Sequence, residues 1–367
     1  MAAITQRVAE VTIESWAQEV SDLMGQKYAF LHCLKEKGGI KFGKNGTEMK
    51  WPFRFKDHTI TGYQDLAPRS YERTRLHDNA SLGWRGYESN EAISHMEKLQ
   101  NGGKGHAVII DIFKNRADMV RDGLMRELGT RFHKSGSTAQ GIAENRFHGI
   151  ESFGDVTGGS QTASDVLATV LASSYGGHST AYGSLDASTV LGDPGYKAWS
   201  PVVVNCNVNP GSGVRAWADY ADEYIRTAII EASFGAGSED QLDTFFLNKN
   251  AYKALLNILD GKERINFKRG EDVGLVKAGF KQAVELDGTE ILWDFGVPAA
   301  DESSTDVVHG YGYNFDKMEL QMLNRKSLWD VRFQWSSAQD ADVFLFSCLG
   351  NLKFESPKFQ ALLKELS

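Results

Sequence analysis

Along residues 4–34, Ile4, Val8, Val11, Ile13, Trp16, Val20, Leu23 and Met24 recur at helical spacing with polar residues between them, the pattern of an amphipathic helix. Such a segment needs something to lie on. The core of its own domain and a neighbouring subunit are both open. Gly38 and Gly39 end this region, and Met49, Trp51, Phe53 and Phe55 then alternate with Lys50, Pro52, Arg54 and Lys56. Period-two alternation predicts a strand with one apolar and one polar face. Pro52 cannot donate to a ladder, so the strand belongs at an edge or in an exposed hairpin. Polar sequence from Asp57 to Asn79 leads to a second predicted strand over 80–87. Together they make a long hairpin with little apolar content, and connections of that length inside compact domains are usually functional or disordered.

The strongest helical pattern covers 104–134. Val108, Ile109, Ile112, Phe113, Val120, Leu124, Leu128 and Phe132 share one face, and Lys114, Asp118, Arg121, Asp122 and Arg126 surround the other. At 1.5 Å per residue this is a strut of roughly 45 Å. Residues 141–213 are rich in Gly, Ser, Thr and Asp and read as loops with short strands. A second amphipathic helix follows over 214–232, then a buried strand over 242–247, a helix over 249–259, and strands over 289–295 and 312–323. Val331, Phe333 and Trp335 alternate within a final hairpin, 329–335 with 343–349, which predicts one buried face. The fold class is α+β.

Length and composition narrow the function. The 367 residues suffice for about two compact units. A net charge of −8 without a basic stripe argues against binding nucleic acid through its phosphates. Cys33, Cys206 and Cys348 are widely spaced and odd in number, so neither a disulfide framework nor a thiolate metal site is indicated. No stretch approaches a membrane span. Lys104 follows Gly102 and Gly103, but Gly105 stands where a phosphate-cradling loop needs Ser or Thr. The Gly235–Ala236–Gly237 run reads as a helix C-cap, and His77 beside Asp78 as loop polarity, since an acid–base couple also needs a third orienting group and a cleft. No catalytic, cofactor-binding or metal-binding residue is assigned.

Taken in order, these features resemble the major capsid proteins of tailed bacteriophages with the Hong Kong 97-like fold, which encapsulins share. Asp78-Asn-Ala-Ser-Leu-Gly-Trp-Arg-Gly-Tyr87 is similar to the end of that family's extended hairpin, and Asn101-Gly-Gly-Lys104 to the approach to its spine helix. Tyr175-Gly-Gly-His178 followed by Trp199 is similar to the stretch that opens its α/β domain, and Gly350-Asn351-Leu352 to its C-terminal close. The family's Gly-Gly-Ile-Asp-Arg is here Gly-Gly-His178-Ser179-Thr180, which leaves the outline of 175–200 open.

The resemblance implies an N-arm over 1–39, an E-loop over 40–88, a peripheral domain over 89–155 and 326–356 with its spine helix at 104–134, an axial α/β domain over 156–325, and a C-terminal tail over 357–367. It implies self-assembly through hexameric and pentameric capsomers into an icosahedral or prolate shell around double-stranded DNA, in a virion assembled in the bacterial cytoplasm. A scaffolding protein, a portal and a cement protein are the implied partners, with no membrane, no cofactor and no sequence-specific DNA contact. Trp16, Trp51, Phe53, Phe55, Tyr63, Arg69 and Arg73 are the candidate subunit-interface residues. For the Trp51, Phe53 and Phe55 stripe the alternative is packing on its own subunit, because exposed apolar ribbons invite aggregation. The helical arm begins close to Met1, so the expectation is a separate scaffolding protein and no cleaved prodomain. Some relatives join an E-loop lysine to a C-terminal-region asparagine; Lys56 and Asn351 lie in comparable regions, and no such crosslink between subunits is expected. An encapsulin-like compartment and an enzyme of unrecognised class are the alternatives.

Overall fold

The computed structural model describes residues 28–54, 62, 77–97, 106–153, 167–168, 175–177, 199–208, 216–233, 240–261, 283–302, 306–324, 328–336 and 340–366. Helix α1 (Ala29–Glu36) leads into β1 (Ile40–Lys41). Strands β2 (Glu48–Arg54) and β3 (His77–Gly83) pair antiparallel as a separate ribbon. Strand β4 (Arg85–Ser94) precedes the long helix α2 (His106–Arg131) and the short α3 (Ala139–Ala143). Then come β5 (Leu167–Ala168), β6 (Val202–Asn205), α4 (Trp217–Ala232), β7 (Thr244–Leu247), α5 (Lys249–Gly261), β8 (Ala283–Leu286) and β9 (Thr289–Trp293). The chain closes with β10 (Val307–Tyr313), β11 (Met318–Met322), β12 (Asp330–Ser336), β13 (Ala341–Phe354) and β14 (Ala361–Glu365).

These strands build two larger sheets. A five-stranded sheet runs β1-β11-β13-β12, with β4 on the other side of β13; a seven-stranded sheet runs β5-β6-β14-β10-β7-β9-β8. Strand β7, Thr-Phe-Phe-Leu, is buried along its whole length. Its alternation divides the core: Phe245 and Leu247 pack with Trp217, Ile225 and Leu255 from α4 and α5, while Phe246 faces the other way with Phe30, Phe132 and Tyr313. A sheet covered on both faces tolerates no polar alternation, which is why this strand reads as an unbroken apolar run.

Helix α1 answers one open question. Phe30 is buried, with ring centroids 4.9 Å from Phe132, 5.1 Å from Tyr313 and 5.4 Å from Phe315. Residues 29–36 of the predicted arm therefore lie on the core of their own subunit; residues 1–27, with Trp16, lie outside the described residues.

Three expectations are corrected. The strand expected over 312–323 is two strands in two sheets, because Asn314 accepts hydrogen bonds from the N–H groups of Asp316 and Lys317 and turns the chain between them. The strand expected over 80–87 likewise divides at Trp84, whose indole donates to the Gly46 carbonyl at 2.8 Å. The expected tail, 357–367, contains β14, which sits inside the seven-stranded sheet, parallel to β6 and antiparallel to β10. Its Ala361, Leu362, Leu363 and Lys364 are all fully buried.

Candidate assembly surface

The β2–β3 ribbon is rooted on a pad of aromatic rings. Trp51 and Phe53 point to one side of β2 and are 5% and 6% exposed. The Phe53 ring lies 4.1 Å from Trp199 and the Trp51 ring 6.2 Å from Tyr175, both centroid to centroid. The Trp51 indole donates to the Glu355 carbonyl at 3.1 Å, and the Lys353 ammonium lies over its ring. The turn Tyr175–Gly177 passes beneath. Gly176 has φ of 68°, and a Cβ there would come within 2.9 Å of the Trp199 ring and 3.1 Å of Ala80, so only glycine fits both the backbone and the space.

This corrects the interface assignment for two residues. Trp51 and Phe53 were expected to anchor contacts between subunits; their apolar area is instead covered by Tyr175, Trp199 and β13 of the same chain. Alternation along β2 shows that one face is buried but not which body buries it. Phe55, Tyr63, Arg69 and Arg73 lie outside the described residues.

The base of the ribbon and the start of β4 are held to β13 and to the segment 141–148 by a polar junction. Asn351, fully buried in β13, accepts from the His148 N–H at 2.8 Å and the Leu352 N–H at 2.9 Å, and donates to the Gly83 carbonyl at 3.0 Å. Its amide is thus committed inside the subunit. The Arg85 guanidinium donates to the Gly141 and Arg146 carbonyls, and the Tyr87 hydroxyl accepts from the Phe147 N–H at 2.7 Å. His148 is held neutral: burial first, then the charge of Arg85, lowers its pKa to about 3. Beside this junction, α2 and β4 enclose a groove of about 510 Å³ with Val120, Leu124, Leu128 and Trp329 in its wall.

Large apolar side chains also face outward. Met119 on α2 is 69% exposed, Ile230 on α4 70%, Trp335 on β12 43% and Leu349 on β13 41%. Trp335 was expected on the buried face of its hairpin; it lies at the turn end of β12, edge-on to His95 at 6.3 Å between ring centroids. No sequence signal marked these positions, because a single outward apolar residue is indistinguishable from an inward one in a short pattern.

Sequence reasoning also missed a buried ionic cluster. The Lys364 ammonium lies 2.6 Å from Glu151 Oε2 and 2.7 Å from Asp301 Oδ2, and the Tyr311 hydroxyl donates to Glu151 Oε1. Burial pushes the Glu151 carboxyl up to about 7; Lys364 opposes that shift and Asp301 adds to it. The three cysteines are buried free thiols, each pushed up by burial. Among the described residues there is no cluster of His, Cys, Asp and Glu suited to a metal ion, and no helix long and apolar enough to cross a membrane.

No protein-family model and no curated protein matches the sequence. Solved structures do match, over almost the whole chain. The capsid of a native GTA particle superposes with a TM-score of 0.54 at 14% identity, over 91% of this chain and 90% of that one. The cyanophage A-1(L) capsid protein gives 0.54 at 13% identity, over 88% and 89%. The fold is that of phage capsid proteins. The mature capsid protein of bacteriophage PhiM1 extends the set, with a TM-score of 0.50 at 10% identity over 89% and 85%. Likeness at this level of identity is a likeness of overall fold.

Proposed function

We propose that this chain is the major capsid protein of a tailed bacteriophage, self-assembling through hexamers and pentamers into the shell that encloses the double-stranded DNA genome. The observation that carries this reading is the capsid-protein fold, matched over 91% of the chain. In this reading the β2–β3 ribbon and residues 55–76 form the E-loop, α2 is the spine helix, and the five-stranded sheet belongs to the peripheral domain. The seven-stranded sheet with α4 and α5 forms the axial domain, to which β14 adds a strand. The role is structural, without catalysis on an external substrate.

The physical logic supports it. A closed shell is built from repeated contacts between unlike surfaces of identical subunits, which favours a rigid body with projecting elements. Here a ribbon is locked at its root by Trp51 and Phe53, and in this reading Phe55, Tyr63, Arg69 and Arg73, farther along the same segment, contact a neighbour. Trp16 serves the same purpose in the arm, and Met119, Trp335 and Leu349 add apolar contacts on the body. Assembly takes place in the host cytoplasm with a separate scaffolding protein, and a portal and a cement protein complete the particle. Sedimentation velocity of the purified chain tests the reading: capsomer-sized or larger species are expected, and a monomer at every concentration, with scaffolding protein present or absent, would count against it.

A further inference from the structure

Lys364, Asp301 and Glu151 come together from three separate parts of the chain: the last strand, the loop before β10, and the turn after α2. Their side chains are 1%, 5% and 5% exposed. Two carboxylates and one ammonium leave an excess negative charge in a site walled by Tyr311, on which the His133 ring stacks at 5.5 Å between centroids. Burying charges is costly even when they are paired. An arrangement that removes one of each sign is favoured over one that keeps both.

We propose that Lys364 and Asp301 condense within the subunit to form an isopeptide bond, with Glu151 relaying the proton. In the ion-paired state the two carboxylates hold the ammonium charged, so the reaction begins with transfer of one proton from Nζ to Glu151, 2.6 Å away. The Nζ lone pair then attacks Cγ of Asp301, whose Oδ2 already lies 2.7 Å from Nζ. The C–N bond forms, and the second Nζ proton and the proton held on Glu151 pass to the departing Asp301 oxygen. That C–O bond breaks and one water leaves. Ammonium plus carboxylate becomes neutral amide plus water, so atoms and charge balance and no oxidant or other reactant is needed.

Three features of the site favour the step. The reacting groups are fixed in contact by β14 and its neighbours, which replaces a bimolecular encounter by an internal one. The site is nearly closed to solvent, its three side chains 1–5% exposed, which shields the reacting carbon from bulk water. Glu151, its carboxyl pushed up to about 7 by burial, can both accept and return a proton near neutrality. The bond would staple the final strand to the body of the subunit across 63 residues of chain. It lies within one subunit and uses neither Lys56 nor Asn351, so it adds no crosslink between subunits.

Intact-mass spectrometry of the denatured full-length protein tests the proposal. After allowance for removal of Met1, the expected mass is lighter than the sequence by one water, and proteolysis should yield a branched peptide joining the segments that carry Asp301 and Lys364. An unaltered mass, or a water loss that maps elsewhere, overturns the proposal. Glu151→Gln should retain the full sequence mass with a native circular dichroism spectrum; loss of water in that variant would remove Glu151 from the mechanism.

Discussion

Phe53→Ala should unfold the subunit more easily, whether or not any shell is present. The ring is 6% exposed and packs 4.1 Å from Trp199 inside one chain. Truncating a buried Phe typically costs about 3–5 kcal/mol in transfer and cavity terms, of which ~0.5–1.5 kcal/mol reflects the aromatic pair itself. Gly176 closes the floor of this pad too tightly for the backbone to fill the gap, so the cost belongs toward the upper end. With a urea m-value of ~3 kcal/mol/M, the midpoint falls by roughly 1–1.7 M. The assay is urea unfolding of unassembled subunits, followed by tryptophan fluorescence, to which the neighbouring Trp199 contributes. A midpoint within ~0.3 M of wild type, combined with loss of shells, would refute the reasoning and return the β2 stripe to a contact between subunits.

Removing residues 57–75 should leave a soluble, cooperatively unfolding subunit that forms no shells; normal shells by electron microscopy would contradict the role given to the ribbon's far end. Asn351→Ala should destabilise the subunit by about 2–4 kcal/mol in chemical denaturation, because the His148 N–H and the Gly83 carbonyl lose their buried partner. Acidification should weaken the wild type through His148. Its folded pKa of about 3 lies below the unfolded 6.5, so the unfolded chain binds the proton first. Stability is complete above pH ~6.5 and is lost toward pH ~3 at up to ~1.4 kcal/mol per pH unit. The matching measurement compares urea midpoints at pH 7 and 5 for wild type and His148→Gln, which should show the shallower slope. Isolated subunits, at net charge −8, should not bind duplex DNA tightly at low salt; a titration with steep salt dependence would overturn this.

What could be read from the sequence was local. The α2 helix and the β2 strand each carry a periodicity long enough to declare type and one buried face, whereas the β12–β13 hairpin declared its type but not the exposure of Trp335. Which surface does the burying is a tertiary fact, and Trp51 and Phe53 look the same in sequence whether they meet Trp199 or a neighbour. Strand β14 was invisible for a related reason: Ala-Leu-Leu-Lys has no alternation, and a lysine beyond three apolar residues normally marks the surface. Its burial depends on Glu151 and Asp301, more than 60 positions away. The division of 312–323 into two strands turns on one side chain, Asn314, whose capping role shows only once Asp316 and Lys317 are placed over it. The Tyr175–Gly177 turn and Trp199 stood out by resemblance, and the structure supplies the reason: together they form the pad beneath the ribbon.

The central claim is that this chain builds a closed shell. Negative-stain electron microscopy of the purified full-length protein, expressed alone and with its scaffolding protein, tests it most directly. The account predicts hollow closed particles of uniform size in at least one of the two preparations. Dispersed particles of single-subunit size in both, from protein shown to be folded, would contradict it.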